Sequence, residues 1–325
     1  MPRHLELFAF ANNNMKNILI TGGGGPSTEA LQKLWSSEYT IYFADADINK
    51  IGPFIANEKK LQIPWANSID FKPAITEIIN KREIDLVISQ VDEELLLFSE
   101  IEKKLNSSIF IIPNATFIET FLDKYTSGLS IHEKLQADPN TQLFNSKSLV
   151  ESKETIVKPR QGRGSRDLFF AKEKSELEAL NLYLGFSSKK FIKQDKIEGS
   201  EYSVQVINNM NSQIKGIVPI KIHEKKGSTT HGVVDNNEKI IDFCKSFHEK
   251  FPTKGTYNIQ LILEKNTERI YVFEVNPRVS TTMCVAIYAG LDPLELYFEF
   301  ENKAEIRTAM NGITLKRYWN NIFSR

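Results

Sequence analysis

Short apolar runs alternate with amphipathic stretches over the first third of the chain. Asn17–Thr21 (NILIT) and the runs 39–44, 85–89 (DLVIS) and 108–112 read as buried strands. Between them, residues 27–35, Phe71–Lys81 and 95–105 carry helical spacing. Short buried strands alternating with helices predict a parallel, doubly wound α/β sheet. Loops at the carboxyl ends of such strands face a crevice.

After Pro113 the pattern changes. Residues 114–136 are mostly helical, and Thr155–Pro159 is a strand running straight into a Gly- and Arg-rich loop, 160–167, with 168–171 as its return strand. Lys174–Leu184 is helical; from Lys190 onward strands dominate, at 191–194, 201–208 and 213–222. A polar loop over 225–232, a helix over 239–251 and two β-rich runs, 257–263 and 270–275, follow. The polar segment 265–269 reads as a hairpin connection. A helix over 293–301 and a strand over 313–318 close the chain. The expected division is an extension (1–14), a parallel-sheet domain (15–113) and a two-part α+β fold (114–189 and 190–325).

The hairpin carries the densest chemistry. Strand side chains alternate faces, so Glu274, Asn276 and Arg278 are expected along one side and Tyr271, Phe273 and Val275 on the buried side. Gln260 joins the polar side if a three-residue loop, 266–268, sets it opposite Glu274. A carboxylate and two amide oxygens suit Mg²⁺, and the guanidinium suits phosphate. The alternative is a half-exposed hairpin with an incidental Glu–Arg pair. Upstream, Lys158 ends a strand, and Arg160, Gly162, Arg163, Gly164, Ser165 and Arg166 follow it. Glycines let backbone N–H groups close around phosphate oxygens, and the arginines add charge. No lysine follows the glycines into a helix, so this is not the Walker pattern; a solvated basic hairpin is the alternative.

Composition sharpens this only a little. The 325 residues suggest roughly two or three domains. Lys+Arg and Asp+Glu each total 41, so no global field draws the chain to nucleic acid or membrane, and local basic sites must carry any anion binding. The two cysteines, Cys244 and Cys284, have apolar contexts and no metal spacing, which points to buried thiols in a reducing compartment. No apolar run approaches the roughly 18 residues of a membrane span, and the leader lacks a secretory pattern. A cytoplasmic setting is expected.

Asp123-Lys124, Lys158 with its loop, Gln194 seven residues before Glu201, and Glu274-Val275-Asn276-Pro277-Arg278 occur in that order. Their order and separation resemble the ATP-grasp superfamily, most closely the ATP-binding domains of the carbamoyl-phosphate synthase large subunit and related carboxylate–amine ligases. The resemblance spans about 15–293. It implies a Rossmann-like pre-ATP-grasp domain, no longer holding a dinucleotide, followed by a two-subdomain ATP-grasp fold. It further implies that Lys124 and Lys158 contact ATP phosphates beneath a lid containing Arg160, Gly162, Gly164 and Ser165. Gln194 and the backbone near Lys196 would hold the adenine edge, and Glu201 the ribose. Gln260, Glu274 and Asn276 would ligate one or two Mg²⁺ ions, with Mn²⁺ as an alternative. Arg278 would face the transferred phosphoryl group. His231 would approach the phosphates, unless it is a solvated loop histidine.

Departures from the pattern are Asp167 in place of a lid glycine, neutral Gln260 where many relatives use glutamate, and Ser27 where the run at 22–25 would need a third glycine for a dinucleotide fingerprint. The acidic groups Asp45, Asp47, Asp92, Glu93 and Glu94 could bind an ammonium-bearing substrate or merely cap helices. Ser280, Thr281 and Thr282 adjoin Arg278 and could line an acceptor pocket. The expected activity is an ATP- and Mg²⁺-dependent ligase joining a small-molecule carboxylate to an amine, with a homodimer as the expected assembly. Other readings are a carbamoyl-phosphate-synthase-like subunit, a decayed nucleotide sensor, and an NAD-dependent oxidoreductase that would leave the downstream motifs unexplained.

Overall fold

A computed structural model describes residues 16–105, 108–145, 154–162, 167–185, 190–299 and 306–318. In chain order the elements are β1 (Asn17–Thr21), α1 (Thr28–Trp35), β2 (Thr40–Asp45), β3 (Lys60–Gln62), α2 (Phe71–Lys81), β4 (Leu86–Ser89), α3 (Leu95–Glu102) and β5 (Ile109–Phe110). Next come α4 (Ala115–Leu122), α5 (Lys124–Leu135), β6 (Gln142–Leu143), β7 (Thr155–Pro159), β8 (Phe169–Ala171), α6 (Lys174–Leu184) and β9 (Phe191–Asp195). The last third holds β10 (Gly199–Asn208), β11 (Ile214–Lys226), β12 (Ser228–Val234), α7 (Glu238–Lys250), β13 (Gly255–Glu264) and β14 (Ile270–Asn276). It closes with α8 (Met283–Tyr288), α9 (Pro293–Tyr297), β15 (Arg307–Thr308) and β16 (Thr314–Lys316).

Three sheets result. The first is parallel with order β3-β2-β1-β4-β5, the doubly wound arrangement the apolar runs predict. Its Val87 and Phe110 pack with Phe71 and Ile75 of α2 and Phe98 of α3 into one core. Its other face, through Ile20, Phe43 and Ile88, shares a core with Ile207, Val218, Met283 and Leu296. The first sheet is therefore joined to the long central sheet by continuous packing. Gly255 sits in that seam at φ +76°, and a Cβ there would stand 2.6 Å from the Ile112 carbonyl oxygen, so only glycine fits. The central sheet runs β14-β13-β10-β11-β12-β16, with β15 beside β11. A small antiparallel sheet, β6-β9-β7-β8, packs on α6 through Phe144, Val157, Leu177 and Phe191.

Two expectations are corrected. Residues 225–232 are not a loop. β11 continues to Lys226, turns at Gly227 (φ +73°) and returns as β12, pairing Lys225 with Thr229. The segment lacks apolar alternation: apart from Thr229 and Gly232, its residues are exposed or half-buried, and all but Gly227 are polar. Secondly, β14 does not keep strict alternation. A bulge lies between Gln260 and Leu261, so Gln260 faces Glu274 while Leu261 faces Val272. Val272 takes the core position, with Val275, while Tyr271 and Phe273 are only half-buried. Such an insertion re-aims side chains locally. It leaves Tyr271, Phe273 and Glu274 together on one cavity wall.

Candidate active site

Two cavities open between the sheets. The first, about 1060 Å³, lies between the small sheet and β13–β14. Lys158 reaches it from β7, is 8% exposed, and donates from Nζ to the Phe273 carbonyl at 3.0 Å. Lys124, the first residue of α5, places Nζ 3.1 Å from Glu274 Oε1 and 2.7 Å from the Gly162 carbonyl. Asp123 caps that helix by accepting from the Tyr125 and Thr126 amides, and its second oxygen takes the Arg160 fork at 2.7–3.0 Å. Arg160 lines the cavity, but its guanidinium is committed to Asp123. Gly162 stands at φ +121° with open space where a Cβ would be. Gly164 and Ser165 lie outside the described residues.

Burial pushes the Lys158 ammonium down to about 8, against the pull of Glu274 and with the help of the neighbouring Lys124 and Lys225 charges. Burial alone would push Glu274 up. The Lys124 and Lys158 ammoniums overcome it and hold the carboxyl below its usual range. The site thus keeps Glu274 as an anion among cations.

Gln194 donates from Nε2 to Thr141 Oγ1 at 2.8 Å, while its Oε1 is buried with no hydrogen-bond partner. That orphaned acceptor, in a cavity wall, fits a ligand edge carrying an N–H donor. The Lys196 amide is already given to the Glu154 carbonyl, and its ammonium pairs with the Glu154 carboxylate. Glu201 accepts from Lys225, whose Nζ also lies 3.3 Å from Gln260 Oε1.

The second cavity, about 910 Å³, lies between the carboxyl ends of the first sheet and the central sheet. Arg278 donates from Nε to Asp92 and from Nη2 to Asn276 Oδ1 at 3.4 Å. Asn276 donates to Asn258 Oδ1 at 3.2 Å, and Asn258 to Ser203 Oγ at 2.8 Å. Gln205 donates to Thr282 Oγ1 at 2.8 Å and accepts from Ser280 at 3.0 Å. Ser280, Thr281 and Thr282 all line this cavity. Asp45 and Asp47 serve as loop caps: Asp45 accepts from the Gly24 and Asp47 amides, and Asp47 from that of Asn49. Glu94 is buried against Thr21 and Ser89.

The cavities meet. Glu93, Lys225, Gln260 and Glu274 line both. The oxygen-only set of Glu274, Gln260 and Asn276 suits a hard cation that takes one or two carboxylates and completes its shell with phosphate oxygens. His231 lines neither cavity; it pairs with Glu224 and Lys316 on β12, its ring 4.8 Å from that of His223. Sequence reasoning missed Lys225 as a shared wall residue, and offered Glu93 only as an acidic group for an ammonium or a helix cap. For Lys225 the available signal was the Lys225-Lys226-Gly227 turn. Two bulges in β11, flanking Glu224, go with its placement in both walls.

Residues 121–282 match the family model of the ATP-grasp domain. Comparison with curated proteins returned no match. Among solved structures, an L-amino acid ligase from Bacillus licheniformis is similar at TM-score 0.65 and 16% identity, over 90% of this chain and 77% of that one. A carboxyaminoimidazole ribonucleotide synthase from Aspergillus clavatus, complexed with ATP, is similar at 0.69 and 12%, over 91% and 80%. A Campylobacter jejuni biotin carboxylase is similar at 0.65 and 16%, over 88% and 71%. At such identities these likenesses establish the fold.

Proposed function

On the premise that residues 121–282 form an ATP-grasp domain, we propose that the chain is an ATP-dependent ligase activating a carboxylate as an acyl phosphate for attack by an amine. The observation that carries the reading is the junction of the two cavities at Glu93, Lys225, Gln260 and Glu274. Phosphates held in the first cavity and an acceptor held in the second would meet there.

In this reading Lys124 and Lys158 hold the nucleotide phosphates, Gln194 Oε1 takes an N–H of the base, and Glu201 holds the ribose hydroxyls. Glu274, Gln260 and Asn276 would hold Mg²⁺, which supplies charge neutralisation at the terminal phosphates. Phosphoryl transfer needs positioning and fixed charge more than covalent help. Lys158 provides the fixed charge: its ammonium is anchored on the Phe273 carbonyl and loses little freedom when an anion arrives. Arg278, anchored on Asp92, presents its remaining N–H groups toward the acceptor side. An acyl phosphate hydrolyses in water, so this reading requires the site to exclude water while the intermediate stands.

The size of the second cavity supports an organic acid as acceptor. Its volume is in the range of small-molecule sites and well above what bicarbonate or ammonia requires. A phosphate-release screen of amino and hydroxy acids against amines, with ATP and Mg²⁺, tests the reading. Release that requires both an acid and an amine is expected. Release driven by bicarbonate and ammonia alone, or ATP binding without turnover across the panel, would overturn it.

A further inference from the structure

The last described strand does more than close a sheet. β16 pairs with β12 through His231–Lys316, Gly232–Leu315 and Val233–Thr314, covering the outer edge of the β11–β12 hairpin. Arg317 follows immediately and is half-buried. Its amide donates to the Thr230 carbonyl at 2.8 Å. Its guanidinium then donates in two directions. Nη1 reaches the Thr229 carbonyl at 2.5 Å, and Nη2 the Thr281 carbonyl at 2.5 Å, lying 3.6 Å from Cys284 Sγ. Thr229 and Thr281 belong to segments far apart in sequence, and both line the second cavity.

A planar fork with fixed donor directions sets the spacing of two carbonyls in a way a flexible ammonium does not. The hairpin carries Lys225 toward the cavity junction. The 280–282 loop carries the hydroxyls locked to Gln205 and follows Arg278 directly. A change in the separation of these walls moves acceptor-side groups while leaving Lys124, Lys158 and Gln194 in place.

We propose that Arg317 is a positioning residue for the acceptor: by clasping the Thr229 and Thr281 carbonyls it sets the width of the second cavity. The proposal rests on the ligase reading for its substrate but on the clasp geometry for its mechanism. It is tested in the full chain with Arg317→Met, which keeps an apolar stem without donors, and Arg317→Lys, which keeps charge without the fork. The first readout is steady-state kinetics with the acid–amine pair that the phosphate-release screen identifies. The acceptor KM is expected to rise about tenfold or more in Arg317→Met and less in Arg317→Lys, as for a small misplacement of a binding wall. The ATP KM should stay within about twofold, because Lys124, Lys158 and Gln194 lie on elements the clasp does not touch and, among the described residues, only Lys225 of the first cavity rides on the hairpin. An unchanged acceptor KM, or an ATP KM rising in parallel, overturns the proposal. The second readout needs no acceptor: alkylation by N-ethylmaleimide of Cys284, 3% exposed under the clasp, with Cys244, 0% exposed in another core, as internal reference. If the wild-type chain turns over no acid–amine pair, the ligase reading fails and this readout decides alone. Faster labelling of Cys284 but not Cys244 in Arg317→Met then supports the clasp, and equal rates overturn it.

Discussion

The two cavities share one junction and are built from opposite materials. The first is a charge device, in which Lys124, Lys158 and Lys225 surround Glu274 and Glu201. The second is a hydrogen-bond device, in which Ser203, Gln205, Asn258, Ser280 and Thr282 satisfy one another and position a single arginine–aspartate pair. Interleaved charges tolerate small displacements, since Coulomb energy falls slowly with distance. A buried hydroxyl–amide network does not, because each lost partner leaves a polar atom without water. Under the proposed function the contrast is a division of labour: affinity for a polyanion on one side, and shape-dependent recognition on the other.

The sharpest break of that contrast pairs Lys158→Ala with Arg278→Ala. Each is expected to lower turnover by about 10²–10³, as for loss of a charge-stabilising donor. They should differ in binding. Calorimetric titration should show ATP affinity greatly weakened in Lys158→Ala and nearly kept in Arg278→Ala. Wild-type-like ADP release from Arg278→Ala would remove that residue from its assigned role.

Next in size is Thr282→Val. Gln205 is fully buried, and its Nε2 donates to the Thr282 hydroxyl. Removing that hydroxyl should cost about 1–3 kcal/mol of stability, the penalty for an unsatisfied buried donor. ATP affinity should not change. Denaturant unfolding and ATP titration of the same variant check both halves. A loss of ATP affinity would show that the two devices are not separable.

The sequence displayed some of this and hid the rest for physical reasons. Phe71–Lys81, Thr155–Pro159 and Lys174–Leu184 were legible to their ends, because the periodicity that buries each one is local. Gln260 does sit opposite Glu274, but not through a three-residue loop: Glu264 pairs with Arg269, and it is the bulge at Phe273 that shifts the register to set Gln260 there, which loop length could not show. Bulges follow from packing across two strands rather than from either strand's pattern. The strand at 213–222 was legible, but its continuation to Lys226 and the return as β12 were hidden because those residues carry no apolar alternation. The ionic locks were hidden by distance along the chain: Asp123 and Arg160 are 37 residues apart, Asp92 and Arg278 are 186. Composition names the partners in such pairs only after folding brings them together.

The charge device should also respond to pH where the hydrogen-bond device does not. The Lys158 ammonium titrates at about 8 in the folded chain, below its ordinary 10.5. ATP affinity should therefore be flat below pH 8 and fall above it, by at most about tenfold per unit, with the fall missing in Lys158→Met. Stability has the opposite sign. Between pH 8 and 10.5 the unfolded chain binds more protons, so the cost of burying the ammonium is relieved as pH rises. An affinity that stays flat to pH 10 would place the anion elsewhere.

The smallest expected effect tests whether the seam beside the second cavity is passive. Asp292 accepts from Trp35 Nε1 at 2.8 Å and caps α9 through the Leu294 amide, joining α1 of the first sheet to the central body. Burial pushes its carboxyl up to about 6, against those two hydrogen bonds. Because the folded value lies above the ordinary 3.8, the protonated form favours folding. That contribution is complete below pH 3.8 and is lost as pH rises through 6. Asp292→Asn keeps the acceptor for Trp35 without the charge. It should flatten this part of the stability profile, making the chain about 1 kcal/mol more stable at pH 7 relative to wild type. ATP affinity and acceptor KM should both remain unchanged. Melting curves from pH 4 to 7 supply the stability test. If the wild-type and Asp292→Asn profiles run parallel, Asp292 carries no excess cost as an anion, and the seam stays wet enough to solvate it.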